Sequence, residues 1–386
     1  MYKYQTINNL NIRNKTLFIR TDMNIPLTDN GQIADNTKII AGINTIKYAL
    51  SHNAKIILAT HLGRPQENEA INQLNSVQVI AEQIQKLLSI PIPITNFQNQ
   101  PNWHISPLYM LENVRLNLGE ANNSISLSKQ YAQLADIFVH DAFATAHRRQ
   151  ASTYGVGLYI NNRCAGLLFD KEYQALSTIM NSKGLKISII GGAKISTKLK
   201  LIQNLAPKIN YLCLGGGILN IFLKAQGFNI GKSLAELNML EQAIAIIKTI
   251  PTNKIIIPQQ LVTTKQFNST ANTTIKNLND IQDDDIIIDI APNSAKLIAK
   301  QILQAEQIIW NGPLGIFEWD NASYGTKTIA ESIALSSGYS VAGGGDSIAA
   351  INKFNIKGIN YISTAGGAML DFLSGEIMPG LELLSS

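Results

Sequence analysis

The sequence predicts an α/β protein with two doubly wound, parallel-sheet (Rossmann-like) domains joined by a helix. Three observations carry this expectation. Short unbroken apolar runs recur along the chain and end in polar residues or glycine. Stretches with helical spacing lie between many of them. The 386 residues are enough for two or three domains of ordinary size. Continuous apolar strands alternating with helices indicate parallel sheets covered on both faces.

Taken in order, the first half offers strands at 16–22 (TLFIRTD), 55–63 (KIILATHLG), 108–115 (LYMLENVR) and 137–143 (IFVHDAF). The second half offers 186–192, 211–217, 254–259, 286–292, 307–313, 339–346 and 361–367. Helical spacing marks 76–88, 127–135, 197–205, 233–248, 293–305 and 326–335. Residues 170–182 read as one helix, opened by Asp170 and closed near Gly184, bridging the halves. The run DDD at 283–285 reads as a solvated turn. In doubly wound sheets ligands sit beyond the carboxyl ends of the strands, which is where the polar tails fall.

Composition narrows the partners. The net charge is +5 and the pI about 9.0, yet no run of five basic residues occurs and aromatics are 7%. A small anionic ligand is therefore expected, not nucleic acid. No run of 18 apolar residues exists, so no membrane span is expected. The N-terminal stretch has no apolar core, so no signal peptide is expected. The two cysteines, Cys164 and Cys213, sit among apolar residues and read as reduced core thiols, consistent with a cytoplasmic setting.

Two residue types divide the chain. All seven arginines lie at or before Arg163, whereas twenty of the 27 glycines lie from Gly184 onward. Arginine binds carboxylates and phosphates with a planar fork. Glycine lets backbone approach phosphates closely. The first half thus suits a small, multiply anionic ligand and the second a nucleotide.

Individual stretches sharpen this. RTDMNIPL (20–27) puts Arg20, Asp22 and Asn24 on one strand face, either as ligand contacts or as a solvent-facing edge. THLGRP (60–65) places His61 and Arg64 around a glycine turn, either as a cationic tip at a strand end or as an ordinary turn. VHDAFATAHRRQAST (139–153) carries His140, Asp141, His147, Arg148 and Arg149, at a spacing that matches no standard metal site. IIGGAKISTKLK (189–200) follows two glycines with Lys194, Ser196, Thr197 and Lys198, but Ser196 stands where a P-loop needs glycine. LGGG (214–217) and AGGGD (342–346) fail the Gly-x-Gly-x-x-Gly fingerprint, because Asn220 and Ile348 occupy the last position. Glycines before a helix still present N–H groups at its positive end. Asp346 can hold a hard cation or simply cap its helix. WNGPLGIFEWD (310–320) makes a tight turn after a strand, and its Glu318 can accept from a ribose hydroxyl or simply be an exposed acid.

In this order, and with LENVRL, STAGGA and the ending SGEIMPGLELL, these stretches resemble the phosphoglycerate kinase family across nearly the whole chain. The resemblance implies a two-lobed enzyme with an open cleft, moving a phosphoryl group between 1,3-bisphosphoglycerate/ADP and 3-phosphoglycerate/ATP with magnesium. It implies a phosphoglycerate lobe over 1–169 with the tail 372–386, a linking helix over 170–184 and a nucleotide lobe over 185–371. It implies that Asp22 and Asn24 hold the glycerate, and that His61, Arg64, Arg115 and Arg148 hold its carboxyl and phosphate ends. Lys194 and Lys198 would face the nucleotide phosphates from one side of an opening helical turn. Glu318 would bind the ribose, and Gly216, Gly344, Gly345, Asp346 and Ser347 the phosphates, with Asp346 on the metal. Lys38, Lys198 and Gly367 would act at the transferring group. The resemblance further implies a cytoplasmic monomer. The nucleophile is a carboxylate, ionised at pH 7, so catalysis needs alignment and charge neutralisation and no general base.

One departure matters. The family has an arginine one turn into the helix after the first loop, where this chain has Lys38. Gln260, Ala291 and Ala365 are milder departures. Lys38 alone supports an alternative, a catalytically weakened relative that binds nucleotide. A nicotinamide dehydrogenase is disfavoured by the missing fingerprint.

Overall fold

The computed structural model describes residues 2–97, 99 and 101–385. Met1, Gln98, Gln100 and Ser386, which fall within the ranges expected for the first lobe and its tail, lie outside the described residues. The chain divides into two compact units: one runs to Gln174 and resumes at Ile377, and the other is Ala175–Glu376.

The first unit holds β1 (Thr16–Thr21), β2 (Lys55–Ala59), β3 (Ile94–Thr95), β4 (Leu108–Leu111), β5 (Ile137–Asp141) and β6 (Asn162–Ala165). They form a parallel sheet in the order β3-β4-β2-β1-β5-β6. The order reverses at β1, where Arg20 stands beside Ala59 on one side and His140 on the other. Such a reversal opens a crevice at the strand ends. Helix Thr37–Ser51 covers one face because Ile39, Ile43 and Ile46 recur at helical spacing and are buried with Ile56, Leu58, Ile80 and Ile84. On the other face Phe18, Tyr131 and Phe138 cluster with Leu383. Leu383 belongs to the C-terminal helix Pro379–Ser385, where the Gly380 N–H donates to the Ala146 carbonyl at 2.8 Å.

The helix expected over 170–184 spans Leu167–Asn181 instead. Its opening acceptor is Asp141, at the end of β5, whose Oδ1 takes the N–H groups of Leu168 (2.9 Å) and Phe169 (3.0 Å). Asp170 falls inside the first turn, where it accepts from the Tyr4 hydroxyl at 2.9 Å. The cap thus comes from 26 or more residues away, so no local signal marks it. Burial pushes the Asp141 carboxyl up to about 7.

The second unit holds β7 (Lys186–Ile190), β8 (Tyr211–Leu214), β9 (Ile255–Ile256), β10 (Gln260–Thr264), β11 (Thr273–Asn277), β12 (Ile286–Ile290), β13 (Gln307–Asn311), β14 (Tyr339–Gly343) and β15 (Tyr361–Ser363). Six of them make a parallel sheet in the order β15-β14-β13-β7-β8-β9, which reverses between β7 and β13. Two strand expectations change. Of 254–259, only Ile255 and Ile256 pair. The run at 286–292 lies outside the parallel sheet, in a three-stranded antiparallel one ordered β11-β10-β12. A short isoleucine run does not distinguish these cases, and its partners QLVTT and TTIKN hold too few apolar residues to form a run. Nor is the DDD run wholly solvated: Asp285 is buried and takes Lys276 at 2.6 Å and Lys265 at 2.9 Å.

Both cysteines are free and buried, and burial pushes each thiol up to about 12, so neither is poised to react. Among the described residues no helix is long and apolar enough to cross a membrane.

Candidate active site

In the first unit the expected residues converge at the carboxyl ends of β1 and β2. Asp22 leaves β1 and accepts from the Lys38 ammonium at 2.6 Å. Its other oxygen takes the Asn24 N–H at 3.3 Å, and the Asn24 side-chain oxygen takes the Gly63 N–H at 2.8 Å. Burial alone would raise the Asp22 carboxyl, but the charges of Lys38 and then Arg20 outweigh it and hold the group below the usual carboxylate range. His61 is buried beside Arg20, with its Nδ1 3.2 Å from the guanidinium Nη2. Burial first, and then Arg20, keep this imidazole well below its usual value and hence neutral.

Arg64, Arg115 and Arg148 line one open pocket of about 350 Å³ together with Glu67, Glu120 and Gln150. Arg115 donates to the Gly63 carbonyl. Burial, and then the neighbouring Arg148, Arg20 and Arg64, press its guanidinium down to about 10. Gathered cations that disfavour one another's charge are what an anionic ligand relieves. Arg149 points elsewhere: it pairs with Glu382 at 3.7 Å and stacks over Tyr154.

In the second unit the residues gather where the strand order reverses. Lys198 donates to the carbonyls of Gly191 (2.6 Å), just past β7, and Asn311 (3.0 Å), which ends β13. Burial lowers this ammonium to about 8 against the pull of Asp346. Gly312, at φ +98°, is required here, because a Cβ would stand 2.6 Å from the Lys198 ammonium and 2.3 Å from the Gly191 carbonyl. Gly344 likewise has φ +94°, and its Cβ would meet the Asn311 side-chain nitrogen at 2.8 Å. Lys194 does not share a helical face with Lys198. The helix begins at Leu199, Lys198 caps it, and Lys194 lies exposed in the preceding loop. Glu236 ties that loop, accepting from the Ser196 N–H and hydroxyl at 2.8 Å each.

A pocket of about 410 Å³ adjoins this loop. Gly192, Gly216, Pro313, Glu318 and Asp346 rim it, with Leu234, Phe267 and Ile288 giving an apolar wall. Glu318 and Asp346 are exposed, and Asp346 sits in the first turn of helix Gly345–Lys353. Ser347 is fully buried, and its hydroxyl accepts from the Gly312 N–H at 2.6 Å, so its side chain braces the turn. Gly367 opens helix Gly367–Leu373 in open space, with nothing within 4 Å of a built Cβ. The milder departures are structural: Ala291 and Ala365 are buried, and Gln260 starts β10, its N–H on the Ser294 hydroxyl at 3.0 Å. Glu120 and Ser152, which support Arg20 from behind, were not singled out from the sequence.

Comparison with known proteins bears on what these sites serve. A family model described as phosphoglycerate kinase matches residues 7–376. The phosphoglycerate kinase of Francisella tularensis subsp. novicida is 43% identical over 387 residues, covering 99% of this chain and 98% of its own. That of Vibrio campbellii is 42% identical over 380 residues, covering 98% and 97%. Among solved structures, phosphoglycerate kinase from Coxiella burnetii superposes with a TM-score of 0.92 at 39% identity, covering 99% of both chains. The enzyme from Pyrococcus horikoshii gives 0.83 at 30% identity, covering 98% of both. None of these supports the alternative of a weakened nucleotide binder. The chain belongs to the phosphoglycerate kinase family and is a glycolytic phosphotransferase.

Proposed function

We propose that this chain transfers a phosphoryl group between 3-phosphoglycerate and ATP in both directions, with its first unit taking the glycerate and its second the nucleotide. The pocket shared by Arg64, Arg115 and Arg148 carries this assignment for the first unit, because the gathered guanidiniums disfavour one another's charge and an anionic ligand relieves that. Asp22, Asn24 and His61 would grip the hydroxyl and carboxyl of the glycerate. Lys38, whose ammonium has two further protons beyond the one on Asp22, would steady the transferring group.

In the second unit, Lys194 and Lys198 would meet the nucleotide phosphates, with backbone from Gly216, Gly344 and Gly345. Glu318 would take the ribose. Gly367 would lie against the transferring group. The site also fits magnesium: Asp346 offers an exposed carboxylate at a helix start beside the glycine turns, and magnesium characteristically binds through one or two carboxylates and substrate phosphates. When bound, that ion would supply positive charge to the phosphate oxygens. The protein's own part is to align the acceptor carboxylate and neutralise the anionic group in transfer. The family likeness further supports a monomer working in the cytoplasm.

A coupled steady-state assay with 3-phosphoglycerate and ATP, titrated with magnesium, tests these roles. Asp346→Asn should raise the magnesium concentration needed for half-maximal rate. An unchanged requirement would remove Asp346 from the metal.

A further inference from the structure

Arg20 is 1% exposed. Each of its three guanidinium nitrogens is engaged. Nε donates to the Ser152 hydroxyl at 2.9 Å, Nη1 donates to the Thr21 carbonyl, and Nη2 meets the His61 Nδ1 at 3.2 Å. A guanidinium only donates. Nδ1 of His61 must therefore accept, and the single ring proton must sit on Nε2.

Behind Ser152 lies Glu120, also 1% exposed. The Ser152 hydroxyl, having accepted from Arg20, donates to the Glu120 Oε1 at 2.5 Å, and its N–H reaches Oε2 at 3.1 Å. The Tyr131 hydroxyl donates to Oε2 at 3.3 Å and takes the Asn117 side-chain N–H at 3.2 Å. The Ser152 hydroxyl and N–H and the Tyr131 hydroxyl all donate to Glu120, so the carboxylate fits as an anion opposite the buried Arg20 charge. Burial pushes its carboxyl up, and the Ser152 bonds and Arg20 act against that. Ser152 is held in a single π-helical turn, Ala151–Gly155, whose first N–H donates to the Glu120 carbonyl at 3.0 Å.

We propose that Glu120 and Ser152 are positioning residues that, through Arg20, hold His61 as the neutral Nε2–H tautomer, a fixed hydrogen-bond donor. This rests on the placing of His61 in the glycerate site. The groups facing His61 are Arg20, Arg115 and Lys38, which disfavour its charged form, and Asp22, which favours it. With Arg20 released, Nδ1 loses its donor and the tautomer is no longer imposed.

The test is ¹⁵N NMR of the His61 ring in the full chain without ligand, from pH 5 to 8, beside KM and kcat for 3-phosphoglycerate. In the wild type the ring should show the neutral Nε2–H signature throughout. A protonated ring, or a proton on Nδ1, overturns the proposal without any variant. In Ser152→Ala and Glu120→Gln the signature should be lost, and KM should rise about tenfold with kcat little changed, as for one hydrogen bond to a charged group. Ser152→Thr, which keeps the hydroxyl, should restore both. Tyr131→Phe, which keeps the packing, should give a smaller change in the same direction. An unaltered ring in folded Ser152→Ala and Glu120→Gln overturns the relay. An altered ring with unchanged KM supports the relay and instead removes His61 from the glycerate site.

Discussion

Replacing Lys38 by arginine should make the enzyme faster. Lys38 lies in the first turn of helix Thr37–Ser51, with its ammonium 2.6 Å from Asp22 and its side chain 30% exposed. An ammonium is a compact point charge, and one of its three protons is already spent on Asp22. A guanidinium offers five donors in one plane, enough to keep Asp22 and still present two parallel bonds to a phosphoryl group. One added charge-assisted hydrogen bond contributes roughly 1.5–3 kcal/mol. Partial exposure favours the lower end, and at 1.36 kcal/mol per decade Lys38→Arg should raise kcat about tenfold. Lys38→Ala should lower it by about ten- to hundredfold, and it should also let the Asp22 carboxyl rise, because Lys38 is the first of the charges holding it down. The assay is steady-state turnover with 3-phosphoglycerate and ATP, with kcat and KM separated, since a bond made only in the transition state appears in kcat. Wild-type kcat in both variants would refute the reasoning and leave Lys38 as a counter-ion to Asp22 alone.

Three further outcomes are expected. Because the Lys198 ammonium sits near 8, kcat/KM for ATP should fall as pH rises through about 8, the cation being the form lost, and Lys198→Arg should move that limb upward; a flat profile would show that its charge is not needed. Gly367→Ala meets no neighbour within 4 Å and should leave stability unchanged or about 0.4–1 kcal/mol higher, yet cut turnover; retained turnover would place the transferring group elsewhere. Leu383→Ala empties a 2%-exposed position in the first unit's core and should cost about 2–5 kcal/mol in urea unfolding, whereas a loss under 1 kcal/mol would mean that the C-terminal helix is weakly held.

Much of the framework was legible because unbroken apolar runs ending in polar tails mark buried parallel strands directly. Asp22, His61 and Arg115 were legible for the same reason, since each follows such a run. Contacts between distant stretches were not. Asp141 caps a helix that starts at Leu167, and nothing near Asp170 signals it. Glu120 and Ser152 are 32 residues apart and meet only in the folded chain. β12 reads as a buried parallel strand because isoleucine runs look alike in either sheet, while its partners hold too few apolar residues to form a run. Lys194 and Lys198 have helical spacing, but the turn before Leu199 holds Lys198 back on two carbonyls and leaves Lys194 outside.

The C-terminal helix also constrains the order in which the chain is made. Leu383 completes a cluster that includes Phe18 and Phe138. On the ribosome, N-terminal domains generally fold first, as they emerge. Here the first unit cannot complete this cluster until Leu383 leaves the exit tunnel, after all of Ala175–Glu376 has been synthesised. The nascent first unit must wait with an apolar gap exposed, and a chain that stalls before Leu383 would keep that gap open.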